Sequence, residues 1–590
     1  MIPPGFIFLI GALLLPLFKG KIRTAYLIFV PALALVHLAL LSPQESYVYD
    51  FLGMQISLLK ADKLSLFVGY IFVIIGFLNI LYSVYVKNTG EHFASFLYIG
   101  SSLCVVFAGD FFTLVIFWEI MAISSTLLIW FQKEKESLDA AYRYILMHVF
   151  GGGMLIGGVI INYVATGSLA VGPVTDELAF LLLFIGIGVN AAFIPLHTWL
   201  PDSYPRATYA GAVFLSVYTT KTAIYVLART FEGAESVAIM GGLMAIYGVT
   251  MALMQTDARK LLSYHIVSQV GYMVAGVGVG TALAVNGGIA HVFNHILYKA
   301  LLFMTIGAVI YRTGIRDIHK MGGLAKKMPL TTIAFVIAAL SISGFPGFNG
   351  FVSKGMVLEA VHDNTMLFTL LELASIGTFL SFLKLGYYGF FKENKNIKAE
   401  DAPLAMKLSM GATATLCVVL GIFPALMLGL LPYEAEYHPF ELERVAETLV
   451  LFMVTGIAFF AFIRAFEPHK GITLDVDSIY RKSGRGFLWF INEPLARGSR
   501  WTVDICLDVI SFLKWFSKNP VLALVLFKDS VGLHLFKRIG GRTTAESKWF
   551  LEEEKRLYPR NPVKRNPVGD SLLLALMFMA IYVMYYLFAA

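Results

Sequence analysis

The stretch 284-AVNGGIAHVFNHILYKALLFMTIGAVIY-311 is long enough to cross a bilayer, and its basic residues, His291, His295 and Lys299, recur at every fourth position. On an α-helix that spacing stacks the three on one face over about 12 Å of rise. An ionisable group at the bilayer centre costs at least about 2.5 to 3.5 kcal/mol on insertion scales, so the stripe must face protein or water and not lipid. A file of titratable groups through apolar surroundings has the chemistry of a proton path. The plainer alternative is three side chains that only hydrogen-bond neighbouring helices.

The rest of the chain has the same character. It is 58% hydrophobic and 14% charged over 590 residues, with repeated apolar runs of about 20 residues, which is the composition of a polytopic integral membrane protein. The net charge of +7 would suggest nucleic acid in a soluble chain, but here Lys and Arg are confined to alternate loops, the pattern of topology control. No nucleic-acid partner is expected. Cys104, Cys417 and Cys506 lie far apart without a CxxC pair, so this chain is expected to hold no metal site, iron-sulfur cluster or other cofactor. No carboxylate pair, nucleophile triad or Walker loop appears, and no catalytic centre of its own is expected.

Apolar runs predict spans near 4–18, 24–41, 63–86, 93–109, 111–131, 143–165, 178–198 and 207–230, then 236–254, 259–280, 284–311, 330–361, 367–391, 408–430, 447–466 and 571–588, sixteen in all. The first run lacks a small-residue cleavage site and is read as a retained helix. Lys and Arg number 24 in one set of alternate loops up to Arg485 and four in the other, namely Lys60, Lys63, Arg229 and Arg444. Since cytoplasmic loops carry the excess, the rich set is expected inside and the N-terminus outside. Residues 431–446, with Glu434, Glu436, Glu441 and Glu443, then fall outside.

Helix breakers mark particular places. In span twelve, SISGFPGFNGFVSK, Gly344, Pro346, Gly347 and Gly350 are expected to interrupt the helix just before Lys354, exposing backbone groups that are tolerated where they line a polar cavity; a simple loop is the alternative. GVGVG at 276–280 mimics a dinucleotide fingerprint but has no preceding strand, so close helix packing is its expected role. Residues 486–541 are amphipathic and too polar to span, so they are expected to lie along the cytoplasmic side of the membrane, bent at Asn519-Pro520. The charged stretch 542–570 leads into a final anchoring span.

Four further ionisable residues fall within or beside spans: Glu119, Lys221, Lys354 and Lys384. Glu119 and Lys221 could pass a proton or form a static ion pair that fixes helix packing. Lys384 lies nearer a cytoplasmic end and could snorkel. His148, His197 and His265 are weaker relay candidates, each equally readable as a hydrogen-bonded structural histidine.

The segments FWEI at 117–120, IPLHTWLPDSYPRAT at 194–208, MQTDARKLLSYHIVSQVGYM at 254–273, HVFNHILYKALLF at 291–303 and GFPGFNGFVSK at 344–354 together resemble the antiporter-like subunits shared by respiratory complex I, Mrp cation/proton antiporters and archaeal membrane-bound hydrogenase and sulfur-reductase complexes. The resemblance covers most of residues 60–430. It implies an all-α polytopic membrane fold of about sixteen transmembrane helices, with two inverted five-helix repeats, broken helices and a C-terminal amphipathic lateral helix. The implied division is 1–92 (N-terminal helices), 93–230 (first repeat), 231–391 (second repeat), 392–470 (C-terminal helices), 471–570 (lateral segment) and 571–590 (anchor). It also implies an ion-translocating row of Glu119, Lys221, His291, His295, Lys299 and Lys354. One departure matters: the family carries a lysine in span seven opposite the span-five glutamate, and in GVNAAFIPLHTWLPD that place is held by Asn190. An amide hydrogen-bonds but takes up no proton near neutral pH, so Glu119 loses its expected partner unless Lys221 substitutes.

The leading expectation is an H+- or Na+-translocating subunit of a multisubunit redox complex of the plasma membrane, of the ferredoxin-linked hydrogenase or sulfur-reductase group. Its partners would be other antiporter-like and small membrane subunits, clasped by the lateral helix, and a redox arm holding iron-sulfur clusters and nickel-iron. The alternatives are one component of a stand-alone Mrp-type Na+/H+ antiporter, or a structural brace whose pumping has decayed.

Overall fold

The structure, a computed structural model, describes residues 2–51, 53–468, 475–539, 544–559 and 567–589. The chain divides into two compact units, Met1–Val476 and Asp477–Ala590. The expected boundary at 470/471 lies outside the described residues.

The first unit opens with α1 (Pro4–Leu14) and α2 (Gly20–Ala39), followed by a hairpin of β1 (Ser46–Phe51) and β2 (Met54–Lys60). The run continues with α3 (Lys63–Ser83), α4 (Thr89–Phe107), α5 (Phe111–Trp130), α6 (Lys135–Thr166) and α7 (Glu177–Ala191). After α7 come the short α8 (Trp199–Ser203) and α9 (Gly211–Leu215), then α10 (Thr219–Thr230), α11 (Glu235–Leu253), α12 (Ala258–Val279) and α13 (Ala282–Thr313). A short α14 (Leu324–Lys327) precedes α15 (Pro329–Ser343), α16 (Asn349–Ala360), α17 (Thr365–Gly386), α18 (Leu404–Ile422), α19 (Ala425–Leu428) and α20 (Leu442–Ala461).

Helices occupy all sixteen expected spans, but length and apolarity alone qualify fewer. Among the described residues twelve segments are long and apolar enough to cross a membrane, or thirteen with one bent pair in the second unit. Pro4–Leu17, Pro329–Ser343 and Leu572–Tyr585 are shorter, and α12, which carries Arg259, Lys260, His265 and Gln269, falls outside the set. The hairpin is an addition to the all-α expectation. It packs on the α4–α5 turn, where the Ser57 amide donates to Asp110 at 2.8 Å and the Gly109 amide to the Ser57 carbonyl at 2.9 Å.

Side-chain caps define where the helices start. Asp62, Asn88, Asp110, Asp176, Asp257, Thr281 and Asn364 each accept a backbone N–H at a helix N-terminus, satisfying donors that the helix cannot. Several features occur twice. Both α6 and α13 run 32 residues and end on a left-handed glycine, Gly167 and Gly314. Asp110 caps α5 and bridges to Ala170 beyond α6, while Asp257 caps α12 and bridges to Asp317 beyond α13. Both α7 and α15 are 15 residues long and stop at a left-handed residue, Ala192 and Gly344, before a second helical piece.

The core centres on α13, whose span window is 94% buried, and on α9–α10, which is wholly buried. Close packing surrounds them. A Cβ on Gly241, Gly248 or Gly278 would collide with backbone across the α11–α12 seam, and Gly276 does the same against α13, so the GVGVG run is a packing surface.

The second unit holds α21 (Asp477–Phe490) and α22 (Ala496–Phe516), joined by a π-helical turn, then α23 (Pro520–Arg538), α24 (Ala545–Leu557) and α25 (Pro567–Ala589). The path turns by 118° between Phe516 and Pro520, with the Asn519 side chain capping α23 through Leu522 N at 3.2 Å. That is where Asn519-Pro520 was expected to bend it. The Trp515 ring stacks on Tyr558 at 4.9 Å, and the Tyr558 hydroxyl donates to the Trp515 carbonyl.

Candidate ion-translocation site

Three interruptions of helix bring polar groups to the middle of the first unit. Span seven breaks after α7 and resumes as 3-10 and α turns through Arg206. Span twelve breaks between α15 and α16, at Gly344 (φ +88°) and Gly347 (φ +89°), as expected, whereas Gly350 lies inside α16. Gly350 is there for space, since a Cβ would collide with the Ser341 carbonyl. The third break, between α9 and α10, falls in SVY at 216–218, where the sequence offers no Gly or Pro. Here the Thr219 amide donates to the Tyr98 hydroxyl at 3.0 Å and the Lys221 ammonium donates to the Ser216 carbonyl at 2.6 Å. Two side chains, Tyr98 from α4 and Lys221 from α10 itself, thus satisfy backbone groups that the break releases.

The stripe on α13 meets the span-twelve break at α16 and lies within electrostatic reach of Lys221 beside the third break. His291, His295 and Lys299 are fully buried in protein, not turned to lipid. His291 meets Ser353 of α16 at 3.0 Å (Nδ1), and Gln269 of α12 and the Tyr298 hydroxyl at 3.3 and 3.2 Å (Nε2). The α13–α16 seam is pinned by paired asparagines, Asn294 Nδ2 donating to the Asn349 carbonyl at 2.8 Å and Asn349 Nδ2 to Asn294 Oδ1 at 3.2 Å. The next two members differ. Both ring nitrogens of His295, both of His265 and the ammonium of Lys299 are buried without a hydrogen-bond partner among the described residues.

Charge links the row. Lys221 and Lys299 act electrostatically on His295, Lys221 acts on Lys299 and His291, and Lys299 and Lys354 act on His265. Lys354 lies 3.5 Å from Ser375 Oγ, 5.0 Å over the Tyr272 ring and within the field of Glu372 on α17. Glu372 is a mid-span carboxylate that the reading of buried charges passed over.

The other candidates separate. Glu119 on α5 points at α6, where Gly152 leaves room for its carboxylate; among the described residues one oxygen has no partner and no cation is paired with it. Lys221 therefore does not replace the missing lysine, because its ammonium is turned to the Ser216 carbonyl. Asn190 instead pairs with His148, whose Nδ1 donates to Oδ1 at 2.7 Å, the imidazole lying between Tyr144 and Trp199 at 4.2 and 4.7 Å. Lys384 donates to the Leu253 and Gln255 carbonyls at 2.7 and 3.0 Å, so it caps the C-terminus of α11. His197, in the second half of span seven, stands 3.4 Å from Asp475, a residue in which sequence reading found no signal because it lies beyond span fifteen.

Comparison with known proteins places this arrangement. Residues 108–381 match the family described as NADH:quinone oxidoreductase/Mrp antiporter, transmembrane. Over 422 residues the chain is 32% identical to a Na+/H+ antiporter subunit of Alkalihalophilus pseudofirmus, which takes in 62% of this chain and 52% of that one. The chain spans about half the length of the curated antiporter relatives it matches, in that organism and in Staphylococcus aureus. Its fold is similar to a chain of the archaeal membrane-bound sulfane sulfur reductase (TM-score 0.68, 24% identity, 91% of this chain and 99% of that one) and to one of the Mrp complex of Dietzia sp. DQ12-45-1b (TM-score 0.66, 21% identity, 78% and 99%). The family match thus lies within residues 108–381, and the likeness to these membrane-complex chains is one of fold.

Proposed function

We propose that this antiporter-like chain conducts ions, H+ with or without exchange for Na+, along Lys221, His295, Lys299, His265, His291 and Lys354, with Glu119 as an outlying member, inside a multisubunit complex of the plasma membrane. The observation that carries the reading is the set of unpartnered buried nitrogens at His265, His295 and Lys299, which act electrostatically on one another around the α13 stripe. A static packing network would pair such groups; buried polar atoms left open are sites for exchangeable water and protons. The paired features of α5–α7 and α12–α15 support two related halves, 93–230 and 231–391, as the unit of conduction.

Two complexes could drive this path. The fold likeness to the sulfane sulfur reductase chain supports a redox-driven complex in which iron-sulfur and nickel-iron centres lie in partner subunits. The identity to the Na+/H+ antiporter relatives supports an Mrp-type exchanger equally well. In this chain Cys104 and Cys417 are buried free thiols and Cys506 is an exposed one, in keeping with such centres lying elsewhere in the complex. Iron and nickel in the purified complex would distinguish the two. The path itself is tested by ion uptake into vesicles holding the complex, driven by an imposed Na+ or pH gradient. Lys221→Ala and Lys299→Ala are each expected to lower uptake about a hundredfold, the scale of a lost proton-transfer group. Undiminished uptake in both variants overturns the reading and leaves the chain a brace.

A further inference from the structure

Asp475 stands two residues ahead of the C-terminal unit, beyond all the spans of the first unit, yet its side chain is buried. The Tyr247 hydroxyl of α11 donates to its Oδ1 at 2.6 Å, the Tyr264 hydroxyl of α12 donates to Oδ2, and Nε2 of His197 lies 3.4 Å from Oδ1. His197 is itself fully buried, its ring edge-on to Tyr247 at 5.0 Å. Lys260 brings a further charge to this place, its ammonium 6.0 Å over the Tyr264 ring. Tyr247 and Tyr264 each lie six residues inside the α11–α12 turn, about 9 Å along their helices, so the carboxylate reaches well below the helix ends. Burying a carboxylate costs several kcal/mol unless it is paired and hydrogen-bonded, and an anchor of that kind could be made from a neutral side chain.

Position gives the charge a use. His197 follows Asn190 by seven residues on the same broken span. Asn190 is engaged by His148 and, among the described residues, Glu119 faces no cation, so the pair that would switch the first half is not found at its expected place. We propose that Asp475 is the charge partner of His197, and that the two form the switchable ion pair of the first half in place of the missing lysine pair. A proton taken up at His197 Nε2 makes an imidazolium held by the Asp475 carboxylate. When the pair opens, the same proton leaves from Nε2, and no other bond changes. The stretch that leads into the C-terminal unit thereby carries one member of the pair. This inference rests on the ion-conducting reading above.

The test uses the full complex in vesicles, with Asp475→Asn, His197→Gln, the double variant, Asp475→Glu and, as reference, Lys299→Ala. Asp475→Asn keeps the shape and one acceptor oxygen while removing the charge, and its amide NH2 meets the other tyrosine, whose hydroxyl can turn to accept from it. Each single variant is expected to lower uptake about tenfold or more, the double to be no worse than the poorer single, and Asp475→Glu to recover part of the loss. Full uptake in Asp475→Asn alongside lost uptake in Lys299→Ala overturns the pair while the ion path stands. Additive losses with a lowered Tm make Asp475 an anchor only and also overturn it. Full uptake in Lys299→Ala as well sinks the ion path and the pair together. Should Asp475→Asn fail to assemble, His197→Gln and Asp475→Glu carry the same comparison.

Discussion

Glu119 owes its position to the residue it faces. A Cβ on Gly152 would occupy the place of the carboxylate, and the colliding atom is the free end of a flexible side chain, so an alanine there would turn Glu119 aside without pushing α5 from α6. Alanine also suits a helix interior better than glycine, by roughly 0.5–1 kcal/mol. Gly152→Ala is therefore expected to leave Tm unchanged or slightly raised while ion uptake falls, if Glu119 feeds the row. Thermal unfolding and vesicle uptake on the same preparation check this. Unchanged uptake would place Glu119 outside the path, in keeping with its lack of a cationic neighbour. Lys384 illustrates the opposite case, a buried lysine whose ammonium has two carbonyl partners at a helix end.

Among the elements, α11 and α12 approach closest, and glycine and alanine make that possible. Gly241 and Gly248 on one helix and Gly271 and Gly278 on the other sit where any Cβ would run into backbone, which cannot rotate away as a side chain can. Gly248→Ala is expected to cost about 1–3 kcal/mol, the range for overpacking, read as a lowered Tm, in contrast with the neutral Gly152→Ala. This contrast between local and tertiary causes also sorts what could be read from the sequence. Charges inside apolar runs, His291, His295, Lys299, Lys221, Lys354 and Glu119, stand out one residue at a time, and the Gly/Pro-marked break of span twelve does so by chain stiffness. The break at 216–218 has no such mark, being held by Tyr98 and Lys221 from outside its own backbone. Asp475 was illegible for the same reason, since only the folding of a distant segment against α11 and α12 brings it to His197. The hairpin at 46–60 was lost among apolar runs because its alternation is short.

For the whole molecule, the direction of the row across the membrane depends on how many helices cross. By the 24-to-4 partition of Lys and Arg the N-terminus is expected outside and the C-terminal unit inside, an expectation that requires an odd number of crossings, fifteen, before residue 477. The short helix α1 is the weak point, because Pro4–Leu17 is only 14 residues and failure to cross would make the number even. The cysteines provide a test. Cys104 and Cys417 are buried while Cys506 on α22 is exposed, so an impermeant maleimide has one native target. Cys506 is expected to react in inside-out vesicles and not in right-side-out ones. In a Cys506→Ser background, the exposed Ile2 changed to cysteine (Ile2→Cys) is expected to react with the opposite preference. Both thiols reacting from one face would mean that α1 lies along the membrane, that the crossings number fourteen, and that the residues before α2 share a side with the C-terminal unit. Reaction of Cys506 from outside alone would invert the orientation, and the basic loops would then run against the electrostatic preference that normally fixes topology.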